Sequence, residues 1–239
     1  MTWNPPWQRP RLQSIYAVSS PLIIDPPPTG CTDAEARRIL RNMLTAEEFA
    51  ETKFDLPEGG RWCELVAGDI RQYDPPAGLY GPVVLHLTKA LGRHLHGGQS
   101  EPASVSEGGG PAYACYELGL VTCRDPDTVR CPPVSVFVGG DAFAEMDREV
   151  TESRPVLVIE LASGNQRRSG MADRVLEWHG WGVPCVWVID SADKSVHVAE
   201  RDQEVKVRAT GDTLSGDPVL PGLEFPVREL FVEPEWWTR

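Results

Sequence analysis

The stretch from Pro155 to Asp190 limits the fold more than any other part of this 239-residue chain. Within "PVLVIELAS" the aliphatic run from Val156 to Leu161 reads as a strand buried on both faces. A polar loop, Ser163 to Ser169, leads into a helix over about Gly170 to His179, and "CVWVID", Cys185 to Asp190, is a second apolar strand. Strand, helix and strand in so short a span predict a right-handed crossover between parallel neighbours, and so an α/β chain. Glu160 interrupts the first strand. An unpaired carboxylate buried there costs several kcal/mol, roughly, so it needs a cation, a donor or a route to solvent.

The flanking segments frame that unit. Residues 1–30 carry Pro5, Pro6, Pro10, Pro21 and Pro26 to Pro28, too much proline for a helix or central strand, and predict an extended arm. Thr32 and Glu35 form a capping box ahead of Ala36, Ile39, Leu40, Met43 and Leu44 at helical spacing. A second box, Thr45 and Glu48, opens a shorter helix that stops before Pro57. "WCELVAGDIRQY" reads as two strands turning at Ala67, Gly68 and Asp69. Pro82 opens a helix whose apolar positions are Val84, Leu87, Leu91 and Leu95, and "GGQSEPASVSEGGGP" follows as a loop.

Strands then run over Tyr113 to Cys123 and Val134 to Val138, separated by the turn "RDPDT", where Asp125 and Asp127 are turn formers. Beyond the crossover, β stretches at Ser195 to Arg201 and Glu204 to Ala209 precede a proline-rich tail. The organisation expected is an arm (1–30), one domain (31–232) and a tail (233–239).

A net charge of -12 opposes nonspecific attraction to nucleic acid, so any DNA contact has to be local. No apolar run is long enough to span a membrane and the start lacks a secretory pattern, which predicts a soluble cytoplasmic protein. The six cysteines contain no CxxC pair and predict free, mostly buried thiols. Cys115, Cys123 and Cys131 lack the paired spacing of a zinc site.

Taken in order, "LTAEEFAE", "LPEGGRWCELVAGDI", "DPDTVRCPPVSVF", "PVLVIELAS", "DRVLEWHGWGVPCVWVID" and "VLPGLEF" resemble the bacterial Uma-type restriction-endonuclease family of the PD-(D/E)XK nuclease superfamily, over roughly residues 44–231. The resemblance implies a restriction-endonuclease-like α/β domain, a mixed sheet flanked by helices. It also implies hydrolysis of DNA phosphodiesters with Mg²⁺, for which Mn²⁺ would substitute. An Asp and a Glu hold the ion in such sites, and a Lys orients or deprotonates water. The Glu matches Glu160, and a further family acid matches Glu64. The Asp falls on Pro133, which has no side-chain oxygen. The Lys falls on Arg174, a cation that keeps its proton, and a His ahead of the long helix falls on Tyr80.

The expected site is therefore Glu160 and Glu64 as metal ligands, Arg174 as phosphate clamp beside them, and Gln166, Arg167 and Arg168 toward DNA. Plainer readings stand next to these. Glu160 ion-pairs with Arg174 across the crossover, which Pro133 favours; Glu64 is an edge carboxylate in water; Asn165 and Gln166 make turn bonds; Arg167 and Arg168 are solvated. Trp178, Trp181 and Trp187 are core positions. Two functions follow. One is a Mg²⁺-dependent endonuclease impaired by the changes at 133 and 174. The alternative is a nuclease-derived protein that no longer cleaves and acts by binding nucleic acid or another protein, or by assembling as a homodimer through the arm and the Trp236–Trp237 end.

Overall fold

Thr45 Oγ1 accepts the Glu48 amide at 3.2 Å and Glu48 returns a carboxylate to the Thr45 amide at 2.9 Å, so the second capping box opens helix α1, Ala46–Thr52. The structure, a computed structural model, describes residues 43–75, 79–96, 112–141, 143–162 and 168–235. The arm, most of the helix read from Thr32, the loop after Gly97, Gln166, Arg167 and the Trp236–Trp237 end lie outside them. Met43 and Leu44, the last positions of that first helix, are not helical; the Leu44 amide donates instead to Gly68 O at 3.0 Å.

The start of α1 is also held from a distance. Asp127 Oδ2 accepts the Ala46 amide at 2.8 Å and Arg124 Nη1 at 2.6 Å, so this turn former also caps a helix. Strands β1, Cys63–Val66, and β2, Asp69–Gln72, follow as an antiparallel hairpin that turns at Ala67 and Gly68, both with positive φ. Helix α2, Tyr80–His96, buries Val83, Leu87, Leu91 and Leu95. Val83 takes the first place expected of Val84, because steps of four keep it over Leu87.

The strands then divide between two sheets. Strands β3 (Ala112–Tyr116), β6 (Val134–Val138), β8 (Leu157–Leu161), β9 (Cys185–Asp190), β10 (Ser195–Glu200) and β11 (Lys206–Arg208) form one, in the order β11-β10-β9-β8-β6-β3. Strands β4 (Gly119–Cys123), β5 (Thr128–Arg130) and β7 (Val150–Thr151) join the hairpin in the other, ordered β2-β1-β5-β4-β7. The tail holds a small ribbon, β12 (Thr213–Ser215) with β13 (Glu224–Pro226), and a 3₁₀ turn, Val227–Phe231, whose buried residues join the core on α2.

The parallel strand–helix–strand connection forms. β8 and β9 pair in parallel from Leu157↔Cys185 to Leu161↔Ile189, every residue of both is buried, and helix α3, Met171–Trp181, connects them. Gly182 ends α3 in the left-handed region, φ 118°, its amide donating to Trp178 O and His179 O.

The stretch from Tyr113 to Cys123 is not one strand. It breaks at Glu117, φ 54°, so that β3 belongs to one sheet and β4 to the other. The chain crosses back through Cys131, Pro132 and Pro133, between β5 and β6. The two crossings touch, Glu117 donating its amide to Pro133 O at 3.3 Å. Prolines suit this place because they cannot donate to a ladder. The mixed sheet thus arrives as two, each with one parallel pair, β4–β7 and β8–β9.

Gly119, beside the first crossing, is tightly enclosed: a Cβ there would sit 2.8 Å from Glu149 O and 2.8 Å from Val150 Cγ1. Gly119→Ala is expected to lower stability by about 1–3 kcal/mol in a denaturant titration. Gly211→Ala, where a Cβ meets nothing within 4 Å, should leave the midpoint nearly unchanged.

Candidate functional site

Alternation along β8 sends Leu157, Ile159 and Leu161 into the core against α2, and Val158 and Glu160 toward α3. Glu160 is 1% exposed. Above it, α3 presents Arg174, Glu177 and Trp178 on one face, as spacings of three and four require. Trp178 Nε1 donates to Glu160 Oε1 at 2.9 Å, and Arg174 Nε donates to the same oxygen at 2.8 Å. The guanidinium also lies 5.6 Å from the centre of the Trp178 ring.

The other edge of that guanidinium reaches the second sheet. Arg174 Nη1 donates to Glu64 Oε2 at 2.6 Å, and Nη2 donates to Glu64 Oε1. On β1, Cys63 and Leu65 point into the core under α1, which leaves Glu64 on the opposite face. Glu64 also accepts Arg130 Nη1 at 3.0 Å and the Cys131 amide at 3.1 Å. Arg130, the last residue of β5, clamps Glu177 with Nε and Nη2, both at 2.8 Å, and Thr122 Oγ1 donates to Glu177 at 3.2 Å. Two arginines and three glutamates thus link α3 to both sheets. They line a cavity of about 250 Å³ with Tyr73, Asp173, Gly170 and Met171.

The electrostatics follow from these contacts. Burial alone would raise the Glu64 carboxyl, but the charge and hydrogen bonds of Arg174, then the charge of Arg130 and the Cys131 amide, outweigh it and hold the group at about 2. Burial opposes the charge on Arg174, yet Glu160 and Glu64 raise it well above the ordinary arginine value.

Pro133 lies where the resemblance puts the missing Asp. β6 pairs antiparallel with β8 and ends at Val134↔Ile159, so Pro133 and Glu160 form the next step past the ladder. Glu160, Glu64, Arg174 and Pro133 are therefore brought together. Arg168 is not with them: it donates to Asp190 Oδ2 at 2.8 and 2.6 Å and pairs with Asp193 at 2.8 Å. Tyr80 Oη donates to Glu117 Oε1 at 2.6 Å; burial first, then Glu117, push its phenol above the ordinary range. Among the described residues, no three His, Cys, Asp or Glu side chains converge as a metal-holding group.

Sequence reasoning missed Arg130, Glu177 and the hydrogen bond from Trp178. The available signals were the Arg three residues before Pro133, and a Glu and a Trp one helical turn after Arg174.

The family model Uma2, described as "Putative restriction endonuclease", matches residues 46–228. None of the curated proteins matches the chain. A crystal structure of "a putative nuclease belonging to DUF820" from Anabaena variabilis superposes with a TM-score of 0.58 at 21% identity, covering 79% of this chain and 97% of that one. Likeness at that identity establishes the fold.

The low value at Glu64 sets a pH dependence. A folded value of about 2 against 4.5 means that the unfolded chain binds more protons between these limits. Stability is then full above about 4.5 and falls as pH drops toward 2, by on the order of 3 kcal/mol in all. Glu64→Gln should lose about 3 kcal/mol at neutral pH, with Arg174 half unpaired, and show a flatter stability profile across that window. Parallel slopes for the variant and the natural protein in urea titrations over the acid range would count against this assignment.

Proposed function

The chain belongs to the Uma2 family, described as "Putative restriction endonuclease", and on that premise we propose that it is a non-cleaving member in which Arg174 takes the place of the catalytic cation. It acts by binding. The observation that carries this reading is that one guanidinium engages both family acids, Glu160 and Glu64. Mg²⁺ and Mn²⁺ want about six oxygen ligands in near-octahedral array. Here Glu64 and Glu160 are turned to arginine, Glu177 is clamped by Arg130, and Pro133 supplies no side-chain oxygen. That donor set does not fit a hard divalent ion.

Proton transfer meets the same obstacle. A residue that activates water must accept a proton, and Arg174, raised further by its two carboxylates, keeps its own. The charge at the site also bears on the partner. Among the described residues, Glu64, Glu160, Glu177 and Asp173 face only Arg130 and Arg174 around the cavity, and the chain carries -12 overall. Both disfavour a phosphate backbone. A protein partner, including a second copy engaged through the arm and the Trp236–Trp237 end, suits this charge better.

The test joins activity to metal affinity. Supercoiled plasmid with Mg²⁺ or Mn²⁺ should be nicked no faster by the natural protein than by Glu160→Ala. Calorimetric titration with Mn²⁺ should show no saturable site, whereas Pro133→Asp combined with Arg174→Lys should gain one. Nicking by the natural protein that disappears in Glu160→Ala would overturn the proposal and restore the Mg²⁺-dependent endonuclease, with Arg174 as its phosphate clamp.

A further inference from the structure

A second cavity, about 260 Å³, lies where α2 meets β13 and the turn after it, and shares no residue with the site above. α2 lines it with the flank beside its core positions. Lys89 and Arg93, one turn apart, form one wall together with His86 and His94. Glu224 and Glu229 stand on the other wall, with Phe225 as apolar surface. His86 Nε2 is already bonded to Val232 O at 2.9 Å. His94 Nε2 is buried and has no hydrogen-bond partner among the described residues, an uncommon condition for a buried ring nitrogen.

Two cations face two anions here and do not meet. Among the described residues, none of Lys89, Arg93, Glu224 and Glu229 makes an ion pair. A simple anion would gain the helix wall and be repelled by the glutamates; a simple cation has the converse difficulty. A molecule that carries both charges, separated by a short apolar stem, satisfies both walls at once. The volume is just under the ~300–1,000 Å³ usual for drug-sized ligands, which points to something of amino-acid size. We infer that this cleft binds a small zwitterion, its carboxylate toward Lys89 and Arg93, its ammonium toward Glu224 and Glu229, and its stem along Phe225. His94, whose ring lines the same cleft, reports its occupancy.

The probes are ω-amino acids of increasing length, from glycine through β-alanine and γ-aminobutyrate to ε-aminocaproate, added to the full chain while the imidazole resonances of His94 are followed by NMR. The four charged side chains are exposed, so affinity in the range of ~1–10 mM is expected, with one chain length preferred. Acetate and methylammonium, the two halves, should leave His94 unmoved at equal concentration. Lys89→Glu with Arg93→Glu, both at exposed positions, should weaken binding about tenfold or more without lowering the melting temperature. The inference is overturned by any of three results: no probe moves His94, acetate alone gives the same saturating shift, or the charge reversal leaves affinity unchanged.

Discussion

One guanidinium holds the architecture together. Arg174 turns its Nε edge to Glu160 on β8 and its outer nitrogens to Glu64 on β1, so a single side chain of α3 joins two sheets. Only a planar fork can do this: an ammonium is a point charge and cannot pair along two edges. Without it, two buried carboxylates would face each other across the sheet junction. Taking such charges out of water is expensive, and the penalty is offset only when every partner is in place. Arg130, Glu177, the Trp178 ring nitrogen and the Cys131 amide supply the remaining partners.

The junction exists because the chain changes sheets twice at one spot. Glu117 sits in a left-handed conformation that costs a non-glycine residue about 1–3 kcal/mol, and its contacts hold it there. Its carboxylate accepts Tyr80 Oη at 2.6 Å and Arg61 Nε at 3.1 Å, and its amide reaches Pro133 O. That corner, with Pro132 and Pro133 beside it, leaves Glu64 of β1 and Glu160 of β8 within reach of one guanidinium. Pro133 is part of that corner, where a residue with no amide to donate leaves no ladder bond unmade.

What was legible in the sequence depends on distance along the chain. The crossover could be read because aliphatic runs, a helical period and a terminal glycine are local signals, and once α3 is laid over β8 the Glu160–Arg174 pair follows. The break at Glu117 could not, since nothing about a glutamate announces a left-handed turn; contacts from Arg61 and Tyr80, far away in sequence, decide it. Val83 and Val84 are chemically the same residue, so the phase of α2 was open by one position until its packing fixed it. Arg130 was invisible as a site residue because its meeting with Glu64 depends on strands 66 residues apart pairing side by side.

These separations also order the assembly of the molecule. Arg174 and Glu160 are 14 residues apart, so that half of the junction can form as soon as the crossover collapses on itself. Arg174 and Glu64 are 110 apart, and closing so long a loop is slow unless other contacts have drawn its ends together. The second half is therefore expected to close with the docking of the two sheets, and until then one edge of the arginine stays open to water.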